Sequence, residues 1–143
     1  MKKVEVIQGE VFTDHRGIIN SLNDWHLSGV RRTYTIYHPD CSVMRGWHGH
    51  QHERKWFCCI KGSWRCAFVK IDDWENPSAD LVPEVFDIND KDSKLLCVPA
   101  GYANMLKALE NDSIIQVFSD VPLPDAFADS WRYPASFWTE DIF

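Results

Sequence analysis

The sequence has no block of basic residues and no apolar run long enough to span a membrane as a helix. It holds 15 Lys and Arg against 21 Asp and Glu, for a net charge of −6. That balance excludes a general nucleic-acid polymer as partner, because such a partner needs a positive patch for its phosphate backbone. It leaves room for a small anion held by a few local arginines. The five cysteines, Cys41, Cys58, Cys59, Cys66 and Cys97, are odd in number and form no Cys-x-x-Cys pair. Most lie in apolar, strand-like stretches, so they read as buried free thiols of a reducing cytoplasm. The adjacent Cys58 and Cys59 could form a reactive pair, but an apolar strand favours core thiols. No segment carries a sustained helical stripe, and there is no repeat, low-complexity tract or interior linker. The opening "MKKVEVIQGEVF" alternates polar and apolar residues where a signal peptide would continue apolar, so none is expected.

What is present is apolar and aromatic. Hydrophobic residues make up 45% of the 143 positions, with seven Trp and eight Phe. Residues 1–143 fit one domain with a real core, and the rings suit a core, a stacking platform or an interface. The dominant period is two. In "RRTYTIYH", Thr33 and Thr35 fall on one side and Tyr34 and Ile36 on the other. "KWFCCIKG" and "SWRCAFVKI" are consecutive strand candidates, and Lys61-Gly62 between them looks like a hairpin turn. "SKLLCVPAGYANML" and "DSIIQVFSD" are further apolar runs, with one more strand candidate over Pro83 to Ile88. The best helix candidate is a short turn near "PDAFADSWR". Many short, closely spaced strands predict an all-β, antiparallel sandwich or barrel. The aromatic tail "SWRYPASFWTEDIF" is expected to pack back on the domain or on a second subunit.

Three of the six histidines stand at alternate positions in "RGWHGHQHERKWF". On a strand His48, His50 and His52 would share one face, with Trp47, Gly49 and Gln51 on the other. That face lines a pocket or is a solvated edge, and the pattern alone leaves both open. Arg45 has the geometry to grip a phosphate or carboxylate with two hydrogen bonds. Lys55 opens an apolar run, so its stem would be buried and its ammonium set at a pocket wall, unless it snorkels at a strand start. His15, His26 and His38 lie in polar, loop-like stretches and are expected to be solvated.

The His-x-His strand, the glycine after a short apolar strand, and the later "PAGYAN" resemble the two motifs of the cupin superfamily. The resemblance implies a cupin-type double-stranded β-helix, a jelly-roll barrel. In metal cupins the first motif continues to a glutamate and then a glycine; counted back from Gly62, that slot holds Lys55. The second motif ends on a histidine ligand, where this chain has Asn104. An ammonium in a ligand slot repels a metal, so no metal and no other cofactor is expected. A zinc site built from the three histidines is the alternative.

A metal-free cupin with lysine in that slot is similar to the nucleotide-sugar branch. Its members are the dTDP-4-dehydrorhamnose 3,5-epimerases and the dTDP-4-keto-6-deoxyglucose 3,4-ketoisomerases. "FTDHRGIINSL" resembles the opening segment of that branch, and "GVRRTYTIYHPDCSVMRGWHGHQ" its ketoisomerase pattern. "VPAGYANML" and "IIQVFSDVPLPD" resemble two later epimerase segments. The resemblance implies an isomerase of a nucleotide-linked 4-keto-6-deoxyhexose, working in deoxysugar or surface-polysaccharide biosynthesis. It implies His48 as the base that removes an acidic α-proton and His50 as a second acid–base group. Lys55 would stand by the developing oxyanion, and Arg45 would hold the diphosphate. Arg31, Arg32, Tyr34, Tyr37, Tyr102 and Asn104 would contact the nucleotide or sugar. A cytoplasmic homodimer is implied as well. The chain departs from the epimerases at their catalytic tyrosine, which aligns with Gln116, and at Val121 and Pro122. It departs from the ketoisomerases at Ala103-Asn104. Tyr34, Tyr37, Tyr102 or Tyr133 could stand in for the missing acid. A nucleotide-sugar binding protein without turnover is the second reading, and a metal-dependent cupin the third.

Overall fold

The computed structural model describes residues 3–143. Alternation of apolar and polar residues becomes twelve strands: β1 (Glu5–Gln8), β2 (Glu10–Asp14), β3 (Gly17–Ser21), β4 (Arg32–His38), β5 (Met44–His50), β6 (Lys55–Lys61), β7 (Ser63–Lys70), β8 (Glu84–Asn89), β9 (Lys94–Val98), β10 (Tyr102–Ala108), β11 (Ser113–Ser119) and β12 (Trp131–Arg132). The one helix, α1 (Leu123–Ala128), falls on the stretch expected to turn, and Pro124 sits in its first turn, where no backbone N–H is needed.

The strands form two five-stranded sheets, in the orders β1-β9-β6-β11-β4 and β12-β5-β10-β7-β8, and every pairing is antiparallel. β2 and β3 make a separate two-stranded ribbon. Inward side chains of both sheets meet in one core, with Phe57, Leu96, Ile115 and Val117 from the first and Trp64, Phe68, Leu106 and Ile88 from the second. This is the all-β antiparallel sandwich that the period-two pattern predicts.

The expected hairpin at Lys61-Gly62 does not exist. β6 pairs with β11 and β9, whereas β7 pairs with β10 and β8. Gly62 is a corner at which the chain leaves one sheet for the other, with φ +77 and no room for a Cβ beside Ser113. β9 and β10 are divided in the same way, with Gly101 at φ +93 between them.

Two further apolar layers explain why several strands read as continuous apolar runs. Outside the second sheet, Trp47, Ala67, Val69, Ala103 and Met105 are covered by Trp138, Tyr133 and Phe143 of the tail. The aromatic tail thus packs back on the domain: Trp47 and Trp138 meet edge to face at 5.4 Å, and Trp138 Nε1 donates to the Ser78 carbonyl. Outside the first sheet, Trp56, Leu95 and Cys97 are covered by Leu22, Trp25 and Val30. All five cysteines are free. Burial pushes the Cys58 thiol up to about 11 and the Cys59 thiol, also near Asp90, up to about 12, so both are unreactive near neutrality.

Candidate active site

β5 carries the histidines because its inward positions face the space between the sheets. His48 is opposite Asn104 and His50 opposite Tyr102 on β10, while Trp47 points the other way into the tail layer. β5 closes tightly against β10 because residue 46 is glycine: at φ +137, a Cβ there would overlap the Asn104 carbonyl, and the ladder shifts register beside it. His52 does not join the other two, since β5 ends at His50 and His52 is exposed in the bend that follows.

The imidazoles of His48 and His50 lie 4.3 Å apart, centroid to centroid. His50 Nδ1 is 2.8 Å from the carbonyl oxygen of Asp129. A carbonyl only accepts, so Nδ1 carries the proton, and in the neutral ring Nε2 is a bare lone pair. That Nε2 is buried and has no hydrogen-bond partner. His48 Nε2 is 2.7 Å from Ser130 Oγ. Burial, His50, Lys55 and Arg132 lower the His48 pKa to about 3. Burial first, then Lys55, lower that of His50, against the pull of Glu53 and Asp129. Both rings are neutral at pH 7 and able to accept a proton.

Lys55 is buried at the start of β6 and its Nζ donates to the Tyr34 hydroxyl at 3.2 Å. Arg32 lies over the Tyr34 ring at 4.9 Å and pairs with Glu53 at 3.2 Å. A cavity of about 380 Å³ is lined by Tyr34, Arg45, His48, Lys55, Asn104 and Arg132, among others. A smaller one of about 180 Å³ shares Tyr34, His48, Lys55 and Arg132 and adds Arg32, His50 and Phe127. Arg32, Arg45, Lys55 and Arg132 make the lining cationic within a chain of net charge −6, an arrangement that draws an anion inward.

Several expectations need correction. Arg31 is exposed in the loop before β4, where its backbone N–H bonds Ser119, and it lines neither cavity. Tyr102 points inward but is packed into the core with Phe68 and Val98 and lines neither cavity. Tyr37 reaches only the rim, because it alternates outward and its hydroxyl donates to Asp112. His38, expected to be solvated, is buried against Trp64 and accepts from Arg45 Nε at 3.4 Å. Gln116 faces away from the cavity and bonds Thr33. Of the four tyrosines, Tyr133 donates to the Trp74 carbonyl, so Tyr34 is the one whose hydroxyl meets the lysine.

Four residues escaped the sequence reading. Glu53 carried a usable signal, an acid between the histidines and an apolar strand. Asp129, Ser130 and Arg132 carried none, because β12 brings them to β5 from about eighty positions away. Among the described residues no group of three or more His, Cys, Asp or Glu is placed to hold a metal ion.

Two antiparallel sheets around a cavity edged by a His-x-His strand define a cupin-fold protein. More narrowly, the chain belongs to the family described as FdtA: WxcM-like, C-terminal, which it matches over residues 2–127. Among curated proteins no sequence matches. Solved structures share the fold. QdtA, a sugar 3,4-ketoisomerase from Thermoanaerobacterium thermosaccharolyticum in complex with TDP, superposes with a TM-score of 0.71 at 18% identity, over 96% of this chain and 93% of that one. A 3,4-ketoisomerase from Helicobacter canadensis gives 0.72 at 14%, over 96% of each. ChmJ, a 3'-monoepimerase from Streptomyces bikiniensis in complex with dTDP-quinovose, gives 0.77 at 14%, over 93% of this chain and 70% of that one.

Proposed function

We propose that this chain is an isomerase of a nucleotide-linked 4-keto-6-deoxyhexose, acting by proton transfer next to the ketone. One observation carries the reading: His48, His50, Tyr34 and Lys55 converge on a cavity whose remaining charged wall is arginine. The arginines suit a diphosphate, and the nucleotide is dTDP by likeness to the ligands of the related structures. A histidine removes the C3 proton, and the C–H electrons become the enediolate, whose oxyanion Lys55 stabilises. The C3 hydroxyl gives up its proton, the C4 oxyanion gains one and a proton returns to C4, which completes 3,4-keto isomerisation. Coverage of nearly all of both chains favours the ketoisomerases over the longer epimerases, and so does the outward turn of Gln116.

His48 and His50 exchange the protons. In a change from the expectation that His48 is the base, the bare Nε2 of His50 suits the first abstraction and His48 with Ser130 the return. Asn104 beside His48 and Tyr34 at the lysine orient the sugar. A bound diphosphate opposes the smaller contributions of Lys55 and Arg132 to the lowered His48 pKa, while burial, the largest cause, remains. The reaction needs no metal, and residues 1–143 act as a single domain. The protein works in the cytoplasm, which suits five free cysteines. Its pathway makes deoxysugars.

A homodimer is part of the reading. Among the described residues the β2–β3 ribbon pairs with no other strand, and it exposes Phe12 at 56%, Ile18 at 65% and Ile19 at 59%. An isolated ribbon with apolar faces is unstable in water unless something covers it.

The test is proton NMR of dTDP-4-keto-6-deoxyglucose with the protein in D2O. Deuterium at C3 of recovered substrate, with a product that has its carbonyl at C3 and deuterium at C4, supports the ketoisomerase. Deuterium at C5 as well redirects the reading to an epimerase. Binding with neither exchange nor product overturns turnover on this sugar.

A further inference from the structure

We propose that Glu53 is a positioning residue for His50, a buried carboxylate whose charge stands against the ring and neutralises the imidazolium formed when His50 takes a proton. Its catalytic consequence rests on the isomerase reading of the cavity; the pairing itself does not.

Glu53 lies in the short connection between β5 and β6 with its side chain at 0% exposure. That is an unusual place for a carboxylate, because an unpaired buried charge is costly. Oε2 accepts from Arg32 Nη2 at 3.2 Å and from Ser119 Oγ at 2.5 Å. Oε1 accepts no hydrogen bond and stands 3.2 Å from His50 Nδ1. Arg32 and Ser119 therefore hold the carboxylate with one oxygen left for the histidine.

The charged groups around His50 come from several elements. Glu53 and His48 belong to its own segment, Lys55 to β6 and Asp129 to the end of α1. Arg32 reaches Glu53 from β4. Burial and Lys55 outweigh the two acids, and His50 stays neutral. When the C–H bond next to the ketone breaks, its electron pair enters the enolate and its proton forms a new N–H bond at His50 Nε2. Two charges appear together, an enolate beside Lys55 and an imidazolium beside Glu53. Each then has an opposite neighbour. Without Glu53 the imidazolium would form in a dry site beside Lys55 with only the weaker attraction of Asp129 to offset it.

The experiment compares wild type, Glu53→Gln and Glu53→Asp in two measurements. The first is a 15N NMR titration of the histidine side chains in the free protein. The second is kcat, KM and their pH profile on dTDP-4-keto-6-deoxyglucose. Glu53→Gln is expected to shift His50 protonation to lower pH and to lower kcat by about ten- to a hundredfold, with KM within about twofold of wild type. Glu53→Asp keeps the charge but withdraws Oε1 by one methylene, so its values fall between the two; it carries the comparison if the Gln variant fails to fold. An unchanged His50 titration with unchanged kcat, in either variant, overturns the proposal and leaves Glu53 as a tether for Arg32. A wild type that exchanges no deuterium into the sugar overturns the isomerase reading instead, and the histidine titration alone then decides the role of Glu53.

Discussion

Lys55 Nζ donates to the Tyr34 hydroxyl across 3.2 Å, joining β6 to β4 over the intervening strand β11. The contact aims an ammonium and a phenol at one point of the cavity. Replacing Lys55 by Gln keeps a donor but removes the charge that faces a developing enolate. The expected loss in kcat is about a hundred- to a thousandfold, in the range of a lost oxyanion donor. A steady-state assay on dTDP-4-keto-6-deoxyglucose reads it. A rate within a factor of a few of wild type would move the oxyanion to another group, Arg132 being nearest in charge.

Acid should unfold the protein through its neutral histidines. The folded pKa of His48 is lowered to about 3, by burial first and then by His50, Lys55 and Arg132, from an ordinary 6.5. The unfolded chain therefore binds the proton more tightly. Stability contributed by the neutral ring is full above the unfolded value and is lost as pH falls from there toward the folded one. His50 is shifted in the same direction and adds to the slope. Urea midpoints are expected to hold steady above about pH 7.5 and to fall progressively from about pH 6.5 to 4. His48→Asn removes one titrating group and should flatten the curve. An unaltered curve in that variant would show that His48 is not among the groups that set it.

The strand pattern was legible because most inward positions are apolar and each strand is short; the alternation of Tyr34 and Ile36 against Thr33 and Thr35 is the clearest case. What misled was adjacency. β6 and β7 follow one another with a glycine between, the ordinary mark of a hairpin, yet they belong to different sheets. A sequence shows that a chain turns at Gly62, but not whether it turns within a sheet or between two. His48, His50 and Lys55 were legible because local alternation and an apolar run place them. Asp129, Ser130 and Arg132 were not, because the two-residue strand β12 that delivers them has no period to read. His38 read as solvated from its polar neighbours, although the strand alternation through Tyr34 and Ile36 points it inward.

The exposed ribbon makes the dimer testable. Phe12 and Ile19 are cross-strand partners on one face of the ribbon, and Ile18, opposite Thr13, lies on the other. Changing Phe12 and Ile19 to Glu places charge on one face that a second copy would cover. Light scattering after size exclusion is expected to give a dimer for the wild type and a monomer for the double variant. A monomeric wild type would sink the dimer reading and leave the ribbon as a surface for some other partner.

Gly46 offers the sharpest test of how the site is positioned. It stands two residues before His48, at φ +137, with its peptide to Trp47 cis and the Asn104 carbonyl where a Cβ would go. An alanine there faces two penalties, a backbone region that L-residues avoid and a clash with the neighbouring strand. Relief requires β5 and β10 to separate beside the bulge at Asn104 and Met105. The expected cost in stability is about 1–3 kcal/mol, with an activity loss larger than the change in folded fraction explains. Denaturant unfolding and turnover measured on the same Gly46→Ala sample separate the two. A variant that is destabilised yet fully active when folded would show that the spacing of β5 and β10 serves the core and not the histidines.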